Sequence, residues 1–116
     1  MKIVIPLIPN SLNTYIGRNN VWEYREEKQK WIGLGKIFIK EPPTKPFDKA
    51  HVKIEYFFHT RQGRDPDNYA GKVIMDMLTK SGVIANDTFK CVTLSLHGNY
   101  DKNNPRTEIT VTEVGK

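Results

Sequence analysis

The segment Arg64-Asp65-Pro66-Asp67-Asn68-Tyr69-Ala70-Gly71-Lys72 sets two aspartates one residue apart, beside an asparagine and ahead of an apolar run. Two chemistries suit this pattern. Asp65 is a good helix N-cap, with Pro66 at the first helical position, where its fixed φ costs nothing. A cap needs only one carboxylate, however. Asp67 adds a second charge within one turn, and two such groups repel unless a cation lies between them. A third carboxylate follows at Asp87. If Pro66–Lys80 is one helix, it rises ~21 Å at ~1.5 Å per residue. The run from Gly82 to Asp87 covers a similar length when extended, so a chain doubling back along the helix brings Asp87 beside Asp65 and Asp67. The alternative is that Asp87 only begins the turn before the next strand.

Carboxylate oxygens without histidine or thiolate favour Mg²⁺, with Mn²⁺ as the substitute, over zinc. His51, His59 and His97 stand apart without paired-ligand spacing. The calcium-loop pattern fails because Tyr69 occupies its third ligand position. A divalent ion held this way polarises a phosphodiester and activates water, and a lysine nearby offsets charge on the phosphoryl oxygens. Lys72 is the candidate, although in a continuous helix it lies ~140° round from Asp67.

These groups need elements to hold them. KIVIPLI reads as a first strand, and NSLNTYIGRNN as a loop. Trp22 to Ile39 reads as a helix weakened at Gly33 and Gly35. EPPTKPFDK is a proline-rich connector, and HVKIEYFF a strand. HTRQGR is a basic loop that delivers the chain to the acidic pair. Tyr69, Val73, Ile74, Met77 and Leu78 define the amphipathic helix Pro66–Lys80, ended by Ser81-Gly82. FKCVTLSLHG is a strand, NYDKNNPR a turn, and TEITVTEV a strictly alternating last strand. The order β, helix, β, helix, β, β indicates one α+β domain over residues 1–116, a small mixed sheet packed against two helices.

The 116 residues carry a formal net charge of +5, which suits a polyanionic partner. No apolar run is long enough to cross a bilayer, and the N-terminus is a poor signal peptide. The single Cys91 cannot pair internally, so a reducing, cytoplasmic setting and an inert buried thiol are expected.

Taken together, R-D-P-D-N, a following lysine, D-M-L on the helix, G-V-I-A-N-D after it and the closing R-T-E-I-T-V-T-E resemble the RusA-type Holliday-junction resolvases. PNSLNTY is similar to that family's proline-rich, asparagine-containing loop after the first strand. The likeness covers nearly the whole chain, with little contribution from Val21 to Lys49. It implies a homodimeric, Mg²⁺-dependent endonuclease of phage or prophage character that cuts four-way DNA junctions by paired nicks. Carried over by position, Asp65, Asp67 and Asp87 become the metal-binding catalytic carboxylates. Asn68 supports the site, Asn13 sits on a loop near it, and Arg61, Arg64 and Lys72 face DNA.

Two departures stand out. Asn86 replaces an acidic residue that the family often carries before the distal aspartate, though its amide oxygen can still serve. Three residues rather than two separate Asn68 from Lys72. The expectation is that the extra residue, Gly71, is absorbed as a π-type bulge that swings Lys72 back toward the carboxylates. Two other readings remain: a non-catalytic DNA-binding phage protein that keeps the fold, and a small structural protein in which RDPDN is only a cap.

Overall fold

In the computed structural model, residues 1–15 and 21–115 are described, save the side chain of Asn13. Four strands form one sheet: β1 (Lys2–Ile5), β2 (Ala50–Phe58), β3 (Val92–Tyr100) and β4 (Arg106–Glu113), in the order β1-β4-β2-β3. Two helices, α1 (Val21–Phe38) and α2 (Lys72–Lys80), accompany short 3-10 turns at Leu12–Tyr15 and Pro66–Tyr69. The α+β domain expected from the sequence is the one observed. No helix among the described residues is long and apolar enough to cross a membrane.

Alternation decides which face of the sheet is covered. Ala50, Val52, Ile54, Tyr56 and Phe58 of β2 are buried, as are Ile3, Ile5, Ile109 and Val111 on neighbouring strands. They meet Trp31 of α1 and Val73, Ile74, Met77 and Leu78 of α2 in one core. Each large side chain removed from water this way contributes roughly 1.5–3 kcal/mol. Gly35 is a close-approach residue rather than a weak point. A Cβ there would lie 2.7 Å from both Met77 Cγ and Ser81 Oγ, so the bare glycine lets α1 press onto α2.

β4 pairs antiparallel with both β1 and β2, but β2 and β3 run parallel, Ala50 opposite Val92 and Phe58 opposite Tyr100. The connection between them descends through α2, as a parallel pair requires. The helix expected over Pro66–Lys80 is two elements. The 3-10 turn ends at Tyr69, and α2 begins at Lys72 after Gly71, whose φ of 83° lies in the left-handed region. A Cβ on Gly71 would lie 2.6 Å from Ile54 Cδ1, so backbone and packing both demand glycine there. The extra residue before Lys72 is therefore absorbed by a left-handed glycine between two helices, not by a π-type bulge.

After α2 the chain does not turn back toward the acidic pair. Phe47 N–H donates to Val83 O, Ala85 N–H to Phe47 O and Ala50 N–H to Cys91 O. These bonds hold residues 83–91 against the chain entering β2. FKC, expected to open the strand, is a turn, and β3 starts at Val92.

Candidate active site

Asp65 stands at the N-cap position of the 3-10 turn with φ −93° and ψ 136°, yet its side chain makes no capping hydrogen bond. The turn is closed by backbone alone, Asn68 N–H donating to Asp65 O at 3.1 Å. The cap reading thus holds for position but not for the carboxylate, which is left exposed, as is Asp67. Asn68, next in the same turn, is half-buried. Tyr69 anchors the turn by packing on Tyr56 and Phe58, with ring centroids 5.6 and 5.1 Å apart.

The preceding loop is tied by Arg64. Its guanidinium donates to Gln62 O at 2.9 Å, to Thr60 Oγ1 at 2.9 Å and to Thr60 O at 3.3 Å, while lying 4.1 Å from the centroid of Phe58. Arg64 therefore shapes the loop that carries Asp65. Arg61 is exposed and stacks 4.4 Å from the ring centroid of Tyr100. Between them opens a groove of about 390 Å³ lined by Thr60, Arg61, Arg64, Asn99 and Tyr100. A smaller cavity of about 60 Å³ adjoins it, bounded by Asp65, Tyr69, His97 and Gly98. Tyr100 and His97 were not legible as site neighbours, because only the parallel register of β2 and β3 carries them there. At the cavity wall the buried Tyr56 hydroxyl finds no partner among the described residues, and burial holds its pKa far above the ordinary tyrosine range.

Lys72 is exposed at the first turn of α2, its Nζ 5.3 Å from the centroid of Tyr24 on α1. Asp76, one turn on, pairs with Lys28 of α1 at 3.7 Å. Burial, and then the Asp76 charge, raise the Tyr24 hydroxyl pKa. Lys72 is thus parked against α1, over the aromatic face of Tyr24.

Asp87 is exposed, and its N–H donates to Asn86 Oδ1 at 2.8 Å. It lies beyond the start of β3, whereas Asp65 lines the cavity at Gly98 near its end. Six residues of strand separate those levels, on the order of 20 Å at ~3.3 Å each. Among the described residues, no three histidine, cysteine, aspartate or glutamate side chains gather to hold a metal ion within one chain. The structure keeps Asp65 and Asp67 together and sets Asp87 at the opposite end of the β2–β3 pair. That corrects the expectation that α2 returns Asp87 to its own chain's acidic pair. The physical reason is the hydrogen bonding of residues 83–91 to the chain around Phe47 and Ala50. Asn86 travels with Asp87. Asn13 falls in the first 3-10 turn, and its side chain lies outside the described residues.

A family model described as Endodeoxyribonuclease RusA matches residues 11–112. No curated protein matches the chain.

Proposed function

The chain belongs to the RusA endodeoxyribonuclease family, and from that premise we propose that it is a divalent-metal-dependent nuclease resolving four-way DNA junctions as a homodimer, with Mg²⁺ as the ion. The observation that carries this reading is that Asp65, Asp67 and Asp87 take part in no ion pair among the described residues. Exposed oxygens without a protein cation are the donor set that a hard divalent ion selects.

Their separation in one chain fits the ion only if two copies contribute. In this reading Asp65 and Asp67 of one copy are joined by Asp87 of the other, and a two-fold axis makes two such sites. A four-way junction has matching two-fold symmetry, so paired sites give paired nicks. When bound, the ion supplies Lewis-acid polarisation of the scissile phosphodiester. The chain's own residues do the rest. Arg61 meets the DNA backbone from the groove beside Asp65. Arg64 keeps the acid-bearing loop in shape, and Asn68 supports it. Asn86 sits beside Asp87 and offers a neutral oxygen, and Asn13 is carried near the site by the first 3-10 turn. Lys72 leaves the Tyr24 ring to offset charge on the phosphoryl oxygens.

Mixing two inactive variants tests the reading. Asp67→Asn and Asp87→Asn should each fail to cut a mobile four-way junction in Mg²⁺. Mixed and allowed to exchange copies, they should regain cleavage, because each heterodimer carries one site with all three aspartates intact. A mixture as inactive as its parents would overturn the assignment across copies. A second reading, a DNA-binding protein without chemistry, is favoured by Lys72 resting on Tyr24 and by the neutral Asn86. Junction binding without Mg²⁺-dependent nicking of any substrate would select it. A phage or prophage origin and a cytoplasmic setting accord with a nuclease of this family.

A further inference from the structure

Glu27 of α1 is the one buried carboxylate among the described residues, at 6% exposure. It takes part in no ion pair among them. A buried charge is tolerated only where hydrogen bonds replace its lost hydration. Glu27 Oε2 accepts the backbone N–H of Asn10 at 2.6 Å, and Asn10 is the only donor to it among the described residues. A carboxylate has about four acceptor sites, so one such bond leaves most of that capacity unmet.

A cavity of about 10 Å³, the scale of a single water, lies between Glu27 and the acidic turn. Its walls include Asn10 and Tyr15 from the loop after β1, Glu27 from α1, Tyr56 from β2, and Asn68 and Gly71 ahead of α2. Tyr56 is 3% exposed, and its hydroxyl has no partner among the described residues. A Cβ placed on Gly71 would come 3.8 Å from that hydroxyl. The oxygen therefore points toward the joint between the 3-10 turn and α2, at the cavity wall. A buried donor and a buried acceptor thus border one water-sized space. Leaving either unmet costs its full desolvation penalty.

We propose that Glu27 is a positioning residue for the acidic turn, acting through one water held in this cavity. The water accepts a hydrogen bond from the Tyr56 hydroxyl, donates to Glu27 Oε1 and reaches Asn68 with its remaining hydrogen. Glu27 thereby ties together three segments remote in sequence: the loop at Asn10, β2 at Tyr56 and the turn that carries Asp67. A second arm runs toward Lys72. Asn10 Nδ2 donates to Tyr15 Oη at 3.0 Å, and Tyr15 packs edge-to-face on Tyr24 with centroids 5.4 Å apart. Tyr24 is the ring over which the Lys72 ammonium lies. One carboxylate on α1, in a segment that contributes little to the family resemblance, braces both flanks of the site.

The kinetic readout rests on the proposed nuclease, whereas the water is testable without cleavage. A high-resolution crystal structure of the full chain should place one water within about 3.2 Å of both Tyr56 Oη and Glu27 Oε1. The sign of one thermal shift gives an independent check. From a dry cavity, Tyr56→Phe deletes an orphan hydroxyl and should raise the melting temperature or leave it unchanged. With the water in place, the same change breaks its bridge and should lower the melting temperature by a few degrees. On a mobile four-way junction in Mg²⁺, Glu27→Ala should lower kcat roughly thirtyfold with KM within about twofold of wild type. Glu27→Gln keeps an oxygen for the Asn10 N–H and a polar group for the water, and should recover most of that loss. If Glu27→Ala does not fold, Tyr56→Phe takes its place. That variant leaves the Asn10 bond intact and should lower kcat a few-fold at constant KM.

A cavity without water, or a Tyr56→Phe chain at least as stable as wild type, would overturn the inference. So would a loss that falls on KM, or one that Glu27→Gln does not recover. The two proposals fail separately. A wild type that cuts no junction removes the nuclease, while the water and the lowered melting temperature of Tyr56→Phe uphold the bridge. A cutting wild type with a dry cavity keeps the nuclease and removes the bridge.

Discussion

On the uncovered face of the sheet, Glu108 accepts from Lys2 at 2.8 Å and from Arg106 Nε at 2.6 Å, and Asp101 accepts from Arg106 at 2.8 Å. At the two ends of the β2–β3 pair, Asp65, Asp67 and Asp87 have no such partner among the described residues. The chain has 18 lysines and arginines against 13 aspartates and glutamates, so the difference is not a shortage of cations. In the first cluster each carboxylate's charge is already neutralised by the fold. In the second the charge is held ready on short turns, Pro66–Tyr69 and the residues before β3. Carboxylates of the first kind act on stability, and those of the second on whatever cation or ligand reaches them.

The largest effect should come from the unpaired group. Asp67→Asn is expected to lower junction cleavage roughly a thousandfold, equivalent to ~4 kcal/mol of transition-state stabilisation. DNA binding should be kept or tightened, because a charge repelling phosphate is gone. Glu108→Gln should leave cleavage within about twofold of wild type. Equal losses in both variants would dissolve the distinction between the clusters. Mg²⁺ sharpens it further: at saturating concentration the ion should raise the melting temperature of the wild type but not of Asp67→Asn, by mass action on the folded state.

Next in size is Lys72→Ala, for which a tenfold to hundredfold fall in kcat, roughly 1.4–2.7 kcal/mol, is expected with KM little changed. The stacking on Tyr24 is worth only about 0.5–1 kcal/mol, so stability should move slightly. A change in melting temperature with no change in kcat would show that Lys72 only braces α1 against α2. Gly71→Ala tests the joint that sets Lys72 apart from the acidic turn. Left-handed backbone and a Cβ 2.6 Å from Ile54 Cδ1 should together cost about 2–4 kcal/mol in chemical denaturation. An unchanged unfolding midpoint would mean that the 3-10 turn and α2 can merge.

That joint also shows what the sequence could and could not convey. Period-two alternation made β2 and β4 legible, because HVKIEYFF and TEITVTEV admit only one face toward a core. The apolar spacing of Tyr69, Val73, Ile74, Met77 and Leu78 survives a break at Gly71, so periodicity alone joined two helices into one. Gly35 carried a propensity penalty in the sequence but stands where α1 touches Met77, a fact that only packing reveals. The acidic pair was legible as local chemistry. The position of Asp87 was not, because it depends on which way the chain runs after Gly82. Hydrogen bonds from Phe47, some 35 residues upstream, decide that direction. Nor does alternation distinguish a parallel neighbour from an antiparallel one, and so His97 and Tyr100 had no sequence signature as neighbours of the site.

The smallest effect belongs to the paired cluster and depends on pH. Hydrogen bonds from Lys2 and then Arg106 hold the Glu108 carboxyl below its usual range, and Arg106 does the same for Asp101. A carboxylate whose pKa is depressed by folding stabilises the native state above its unfolded value, near ~4, and that contribution fades as pH falls through the folded value. Arg106→Ala should therefore lower the melting temperature by a few degrees at neutral pH, the exposed parts of the cluster being screened by solvent. The gap should narrow steadily below about pH 4. It should not close fully, since Arg106 also lies 3.8 Å from the ring centroid of Phe57, a contact that protonating the acids leaves in place. Glu108→Gln lacks that residue of difference and should converge on the wild type in acid. A gap that stays constant from neutral pH into acid would mean that Arg106 stabilises the sheet through Phe57 alone, and the contrast between engaged and unengaged carboxylates would lose its first half.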